Sequence, residues 1–186
     1  MIRPFVVFSL PRSRSAWLSV LLSQGGLPVG HDVGVECRTP EDFAARVAIG
    51  GTCETGVAFA WPLIRQLLPG ARYVVVRRRI AEVEASLARF GLTGVRAELE
   101  RRWHDMAEHE DPTDTLVVDY ADLRDEEVCR RIFRHCRGQR MDHHWWAQLD
   151  PLNIQVDMSR QISRLAVNRP QIDALKAEVR RRLAHG

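Results

Sequence analysis

A loop rich in arginine and serine follows the first apolar segment of this chain. Residues 9–17 read Ser-Leu-Pro-Arg-Ser-Arg-Ser-Ala-Trp, directly after the apolar residues 5–8. The loop leads into a helical pattern, so the free N–H groups and the positive dipole end of that helix favour a bound anion. The guanidinium of Arg12 and the hydroxyls of Ser13 and Ser15 are suited to the same task. A simpler alternative is that a serine caps the helix and the arginines are solvated.

Three consecutive arginines, residues 77–79, form a second cationic cluster. They follow the β-branched run of residues 73–76, which is typical of a strand buried on both faces, and they precede a helical pattern that contains Ser86. Positive charge at a helix N-terminus is unfavourable by ~0.3–1 kcal/mol. Because a charged helix start explains three arginines poorly, we expect this cluster to bind a second anionic group.

The apolar pattern along the chain places both clusters at one edge of a sheet. Strand-like segments alternate with helical patterns, which predicts an α/β fold with a parallel sheet of about four to five strands flanked by helices. In such folds ligands bind at the carboxyl ends of the strands, where both clusters lie. The predicted strands cover residues 5–8, 48–53, 73–76 and 115–119, and the predicted helices cover 15–23, 41–48, 56–68, 80–90, 95–108, 126–137 and a segment from 170.

Length and composition narrow the class of protein. The chain has 186 residues, of which 45% are hydrophobic and 27% charged, so we expect a single domain over residues 1–186. Its net charge of +3 is too small for a protein that coats nucleic acid, and no nucleic-acid partner is expected. No apolar stretch approaches the ~18 residues of a membrane span, and no signal-peptide pattern precedes the first strand. We therefore expect a cytoplasmic protein without a membrane partner.

Lysine and cysteine usage argues against two common kinds of site. Lys176, the only lysine, lies in the C-terminal helical pattern, whereas a conventional phosphate-binding P-loop ends in Gly-Lys-Ser/Thr. A conventional P-loop ATPase or GTPase is therefore not expected. The cysteines have no zinc-ligand spacing, so we expect reduced, buried thiols and no metal site. They are Cys37, Cys53, Cys129 and Cys136.

Residues 11–17 resemble the 5′-phosphosulfate-binding loop of sulfotransferases, commonly Pro-Lys/Arg-Ser-Gly-Thr-Thr-Trp. These enzymes take a sulfonate from PAPS (3′-phosphoadenosine 5′-phosphosulfate) and release PAP. The resemblance implies that Arg12 and the loop amides bind the 5′-phosphosulfate, that Ser13 and Ser15 add hydrogen bonds, and that Trp17 lies near the adenine.

Two residues of this loop depart from the family pattern. Arg14 replaces the usual Gly, which removes backbone freedom at that turn. Ala16 replaces a Thr and lacks its hydroxyl. Both still belong to the segment that the resemblance assigns to donor binding.

The resemblance extends to the arginine cluster. Sulfotransferases bind the 3′-phosphate of PAPS with an Arg that follows a strand and a Ser eight residues later. Arg78 and Ser86 have this spacing, and Glu82 occupies a position that is often acidic. Arg77 replaces Arg78 in this role if the strand ends one residue earlier. Two motifs in the expected order indicate a sulfotransferase of the short bacterial or phage type.

Transfer to a hydroxyl requires a base near the acceptor and cations on the departing phosphate, a role for Arg12. In the family the base stands a little over twenty residues before the 3′-phosphate Arg. Glu54, 24 residues before Arg78, is our first candidate. A Glu that stabilises a helix N-terminus is the alternative. His31 or Asp32 is the second candidate, and the third possibility is that no residue acts as base.

The resemblance covers residues 4–136 and is weaker beyond them. The Gly-x-x-Gly-x-x-Lys signature of many sulfotransferases is absent, and Arg160 and Arg164 are candidate substitutes. For residues 143–146 (His-His-Trp-Trp) we favour a packed aromatic corner over an acceptor wall.

The most favoured function is transfer of a sulfonate from PAPS to a hydroxyl or amine of a small-molecule, glycan or peptide acceptor, without a metal. A kinase-like phosphotransferase and a non-catalytic nucleotide-binding protein are the alternatives. The sequence predicts no particular oligomeric state.

Overall fold

Five parallel strands form the central sheet among residues 3–185, the part of the chain that the computed structural model describes. They are β1 (Phe5–Ser9), β2 (Gly30–His31), β3 (Thr52–Glu54), β4 (Arg72–Arg77) and β5 (Thr115–Asp119). Their order is β2-β3-β1-β4-β5, and every neighbouring pair is parallel. The predicted α/β fold with a parallel sheet is confirmed. Because β1 is central, the loop after it adjoins the carboxyl ends of both β3 and β4.

Helices connect the strands and cover the sheet. They are α1 (Ser15–Leu22), α2 (Pro40–Gly50), α3 (Trp61–Leu67), α4 (Ile80–Ala88), α5 (Arg96–Glu108), α6 (Glu126–Arg137), α7 (His143–Leu149), α8 (Met158–Val167) and α9 (Arg169–Leu183). Among residues 3–185, no helix is both long and apolar enough to cross a lipid bilayer.

The side chains of the buried strands alternate between two apolar layers, one on each face of the sheet. In β1, Val6 and Phe8 contact one layer and Phe5 and Val7 contact the other, as the two-residue period of a strand requires. The first layer is completed by α2, α3, α4, α5 and α9, and the second by α1, α6 and α7. The apolar run of β1 is thus explained by burial on both faces.

The start of β3 is fixed by the end of α2. Thr39 accepts a hydrogen bond from the Asp42 backbone N–H (3.1 Å) and begins the helix as part of a capping box, with Pro40 in the first turn. The helix runs on to Gly50. Gly51 then has a φ of 107°, and a Cβ there would lie 2.5 Å from the Phe5 ring. The strand predicted over residues 48–53 was therefore wrong at its start, because residues up to 50 continue the helix.

Three elements, namely β2, α7 and α8, have no counterpart among the predicted strands and helices. The two-residue strand β2 has no apolar run of its own and is defined by its pairing with β3 (Gly30 opposite Thr52). Helix α8 is capped by Asp157, whose side chain accepts hydrogen bonds from the Ser159 and Arg160 N–H groups. A further difference is that the predicted helix 56–68 is a 3-10 turn followed by α3, with Pro62 in the first helical turn.

Candidate active site

The loop between β1 and α1 has an unusual backbone. Arg12 and Arg14 have φ values of 65° and 61°, the left-handed region that non-glycine residues seldom adopt. Arg14 stands where the sulfotransferase loop has Gly, and it nevertheless takes a conformation that glycine adopts readily. Its side chain is held by three contacts: Nη1 donates to the Leu123 carbonyl (3.0 Å), the guanidinium lies 3.9 Å from the Trp17 ring centroid, and Nη2 is 3.9 Å from an Asp150 carboxylate oxygen.

Ser13, between these two arginines, is fully buried. Its hydroxyl has no hydrogen-bond partner among the described residues. An unsatisfied buried hydroxyl is unfavourable by about 1–3 kcal/mol, so a polar partner at the loop would remove that cost. The backbone N–H groups of the first turn of α1 have no acceptor within the helix, because in any α-helix the first turn lacks carbonyl groups four residues earlier.

The loop and the arginine cluster meet at the carboxyl ends of β1 and β4. Arg12 Nε donates to the Ser86 hydroxyl (3.3 Å), and Arg78 Nη1 donates to the Arg12 carbonyl oxygen. Burial, and secondly the charge of Arg78, lower the pKa of Arg12. Two guanidinium groups held this close repel each other, and an anion between them would relieve that repulsion.

The three consecutive arginines differ in their partners. The guanidinium of Arg78 lies over the Tyr120 ring (3.9 Å) and contacts the loop. Arg77 instead forms an ion pair with Glu110 at 2.5 Å. The Arg79 side chain is 86% exposed and pairs with Glu82. Of the two residues considered for the 3′-phosphate, Arg78 is the one that contacts the loop.

Trp17 and Ala16 lie in the first turn of α1. Trp17 is fully buried, and its Nε1 donates to the Leu149 carbonyl at 2.9 Å. The ring is enclosed by the core and by Arg14, so it has no free surface on which an adenine can stack. Ala16 is partly exposed and its backbone carbonyl accepts a hydrogen bond from Ser19 (2.8 Å).

A serine, a histidine and an aspartate lie together at the carboxyl end of β2. The Ser15 hydroxyl and His31 Nε2 are 3.0 Å apart, and His31 Nδ1 is 3.6 Å from an Asp32 carboxylate oxygen. Asp32 is buried, has a φ of 50°, and accepts hydrogen bonds from the Thr55 N–H (2.8 Å) and hydroxyl (3.0 Å). Its second oxygen accepts from Gln161 of α8 at 3.2 Å. The carboxylate is thus fixed beside the imidazole.

Glu54, at the end of β3, is almost completely buried and is held by three donors. One carboxylate oxygen accepts from the Val33 N–H (2.8 Å) and the Thr52 hydroxyl (2.5 Å), and the other accepts from the Gly34 N–H (3.3 Å). Burial, and secondly the negative charge of Asp32, raise the pKa of Glu54 to about 8. The raised pKa favours the protonated form of Glu54, and its contacts stabilise the turn that follows β2.

A cavity of about 320 Å³ opens beside these groups. Arg12, Ser15, His31 and Glu54 are part of its wall, so the cavity adjoins both the anion-binding loop and the histidine. Apolar side chains of α5, α8 and α9 line much of the rest. The volume is at the lower end of the range for small-molecule pockets.

Helix α8 covers the β2 edge of the site. Arg164 Nη2 donates to the Asp32 carbonyl (3.1 Å) and to a Glu36 carboxylate oxygen (2.7 Å). Arg164 thus lies beside the acidic turn after β2 rather than beside Arg78, which corrects the suggestion that it replaces the missing C-terminal signature. Residues 143–146 form part of α7, and Trp145 and Trp146 pack against the second apolar layer.

Three contributors to this site are not predictable from the sequence. They are Gln161, which binds Asp32; Tyr120, which lies under Arg78; and Ser15 in its role as partner of His31. None has a local sequence signal, because each acts through an element distant in the chain. No cluster of three or more His, Cys, Asp and Glu side chains suited to a metal occurs among residues 3–185.

Comparison with one solved structure supports the fold. A sulfotransferase from Alicyclobacillus acidocaldarius superposes with a TM-score of 0.53 at 12% sequence identity, covering 97% of this chain and 96% of that chain. A gluconokinase from Sinorhizobium meliloti 1021 gives a TM-score of 0.48 at 15% identity, covering 80% of this chain and 94% of that one. No protein-family model and no curated protein sequence matches the chain.

Proposed function

We propose that this protein is a sulfotransferase that uses PAPS to transfer a sulfonate to an acceptor hydroxyl or amine. The observation that carries the proposal is the meeting of the two predicted anion-binding motifs. Arg12 of the first motif contacts both Arg78 and Ser86 of the second, across 66 and 74 residues of chain. A donor with a phosphosulfate and a 3′-phosphate needs two such sites side by side.

The residues of the loop fit the donor. Arg12, the amides of the first turn of α1 and the unpartnered hydroxyl of Ser13 would bind the 5′-phosphosulfate. Arg78 and Ser86 would bind the 3′-phosphate. PAPS, when bound, supplies the sulfonate; the arginines would neutralise the phosphate that is left, as cations do in phosphoryl transfer.

His31 is the best candidate to take the proton of the acceptor. Its Nε2 lies at the loop beside Ser15, and its Nδ1 faces Asp32, which would stabilise the imidazolium that forms. Glu54 is less suitable, because its raised pKa favours the protonated form and its oxygens are already engaged by the Val33 and Gly34 N–H groups and the Thr52 hydroxyl. It would act on the site by holding the turn that carries His31 and Asp32.

Calorimetric binding of PAP, AMP and Mg²⁺-ATP tests the donor site. We expect PAP to bind more tightly than AMP, and Arg78→Ala to weaken PAP by about 10–100-fold and AMP much less, since a charged hydrogen bond contributes about 1.5–3 kcal/mol. Arg79→Ala is the matched control, because this neighbouring side chain is 86% exposed and contacts Glu82 rather than the loop.

Equal losses of PAP and AMP in Arg78→Ala would remove Arg78 from a 3′-phosphate site. Binding of Mg²⁺-ATP in preference to PAP would overturn the sulfotransferase proposal in favour of a phosphotransferase. PAP binding without transfer to any acceptor would indicate a nucleotide-binding protein that lacks the chemistry.

The role of His31 is tested separately by His31→Asn. Once an acceptor has been found, the rate of PAP release should fall at least tenfold while PAP affinity changes little, since general-base catalysis contributes about 10²–10⁴-fold. Retention of the full rate would exclude His31 as the base.

A further inference from the structure

The cavity beside Ser15 and His31 has a polar end and an apolar body. Leu87 of α4, Leu92 and Val95 after it, Leu99 of α5, and Ile172 of α9 contribute to the apolar body. Leu165 of α8 completes it and is 39% exposed, so it lies at the rim. An apolar wall of this kind favours a ligand with an apolar body, because hydrophobic contact contributes roughly 25 cal/mol per Å² buried.

The cavity volume limits the size of that ligand. A dry cavity of about 150 Å³ lined by apolar side chains accommodates benzene. The present cavity, at about 320 Å³, has about twice that volume and matches a two-ring molecule or an aliphatic chain of similar size. A glycan chain or a folded peptide segment does not fit within it.

The charges around the cavity favour a neutral ligand over a cationic one. Asp32 already accepts hydrogen bonds from Thr55 and Gln161, and Glu98 accepts one from Arg102 at 2.8 Å. The charge of Glu98 is therefore compensated by Arg102, and the oxygens of Asp32 are occupied by neutral donors within the protein.

Cations also line the cavity. Arg12 and Lys176 form part of its wall without a carboxylate partner among the described residues, and they would repel a ligand ammonium. Arg102 and Arg169 also line the cavity, but they are paired with Glu98 and Asp173. Burial, and secondly the charge of Arg102, lower the pKa of Lys176.

We propose that this cavity is the acceptor site and that it takes a neutral, mainly apolar alcohol or phenol of about two-ring size. Sulfonation of this ligand rests on the proposed function, whereas its binding in the cavity does not. The acceptor hydroxyl would lie at the polar end, beside His31 and Ser15, where the loop would bring the sulfonate. The apolar body would contact α5, α8 and α9.

Two probes that differ in charge test the ligand class. 2-Naphthalenemethanol and 2-naphthalenemethylamine share one ring system, and the second is a cation at neutral pH. We expect the alcohol to bind at least tenfold more tightly in calorimetric titrations, with and without PAP, and to be sulfonated when PAPS is added. N-Acetylglucosamine, which offers hydroxyls without an apolar body, should not bind measurably.

Two substitutions in α8 locate the binding. Leu165→Glu places a charge at the cavity rim and should weaken the alcohol about tenfold or more. Val167→Glu is the matched control, because Val167 is 75% exposed on the same helix and does not line the cavity. Equal affinity of alcohol and amine, or equal effects of the two substitutions, would overturn the inference.

Lys176 offers a readout that does not depend on activity. It is the only lysine of the chain and lines the cavity, so its acetylation, measured on its own peptide by mass spectrometry, reports on this site. 2-Naphthalenemethanol should protect Lys176 from acetylation, and this protection should be weaker in the Leu165→Glu variant. Protection without any PAP binding would refute the sulfotransferase proposal and leave the apolar site standing. PAP binding with transfer to polar acceptors, and without protection of Lys176, would refute the apolar acceptor site and leave the sulfotransferase proposal standing.

Discussion

Replacement of Glu54 by Gln should change how the stability of the protein depends on pH. Glu54 is 1% exposed and lies near Asp32, and both burial and that negative charge raise its pKa to about 8 from an ordinary value of 4.5. Between these two values the folded protein holds a proton that the unfolded chain has released. The free energy of unfolding therefore falls as the pH rises through this window.

The magnitude follows from proton linkage. One proton held only by the folded state lowers the free energy of unfolding by up to about 1.4 kcal/mol per pH unit, or about 2.7 kcal/mol between pH 5 and pH 7. Glu54→Gln has no proton to lose at this position. Its stability relative to the unsubstituted protein should therefore improve by about that amount over the same interval, and the difference should level off above pH 8 and below pH 4.

Urea unfolding at pH 5, 6, 7 and 8 measures this difference, because contributions from other titrating groups cancel between the two proteins. Glu36→Gln is the control. A hydrogen bond from Arg164 is the main cause that lowers the pKa of Glu36, so Glu36 is ionised in both states throughout the window. The free energy of unfolding of Glu36→Gln should therefore differ from that of the unsubstituted protein by the same amount at all four pH values. If the stability difference between Glu54→Gln and the unsubstituted protein does not change with pH, Glu54 is ionised in the folded protein. That result would refute the claim that burial raises its pKa, and Glu54 would again be a candidate base.

Two further predictions concern the turn after β2 and the cysteines. Gly34→Ala should destabilise the protein by about 1–3 kcal/mol in the same unfolding assay, because its Cβ would lie 2.3 Å from a Val57 methyl group, whereas Gly56→Ala, with its nearest neighbour at 3.9 Å, should have little effect. Equal effects would show that the turn adapts. The four cysteines are buried and free, and burial is the main cause that raises the pKa of Cys37 and of Cys129 to about 12. A thiol-titrating disulfide reagent should therefore react with all four only after unfolding, and rapid reaction of any thiol in the native protein would contradict this.

The predictable part of the fold is the part with local signals. Strands β1 and β4 are apolar runs buried between two layers, the edge strand β5 is a partly buried apolar run, and this pattern is visible in the residues themselves. Strand β2 is not, since Gly30 and His31 become a strand only through the β3 edge. The end of α2 was equally hidden, because it depends on the contact between Gly51 and the Phe5 ring rather than on helix propensity.

The same distinction applies to the site. The loop after β1 and the arginines after β4 were predicted because each follows a recognisable strand, and parallel strands end at one edge. Their contact partners were not predicted. Arg78 rather than Arg77 contacts the loop, since Arg77 pairs with Glu110 while Arg78 lies over the Tyr120 ring. Both partners are distant in the chain. The burial of Trp17 depends on α7, far along the chain.

The order of the strands gives the two halves of the proposed reaction separate places. The arginine cluster follows β4, on one side of the central strand β1, while His31, Asp32 and Glu54 follow β2 and β3 on the other. The loop after β1 lies between them, and Arg12 and Ser15 of that loop each contact one side: Arg12 bonds to Ser86, and Ser15 to His31. A sulfonate bound at the loop would thus lie between the proposed 3′-phosphate site and the proposed acceptor base. Arg12 and Arg14 have a left-handed backbone in this short loop, from which Arg12 and Ser15 contact opposite sides of the site.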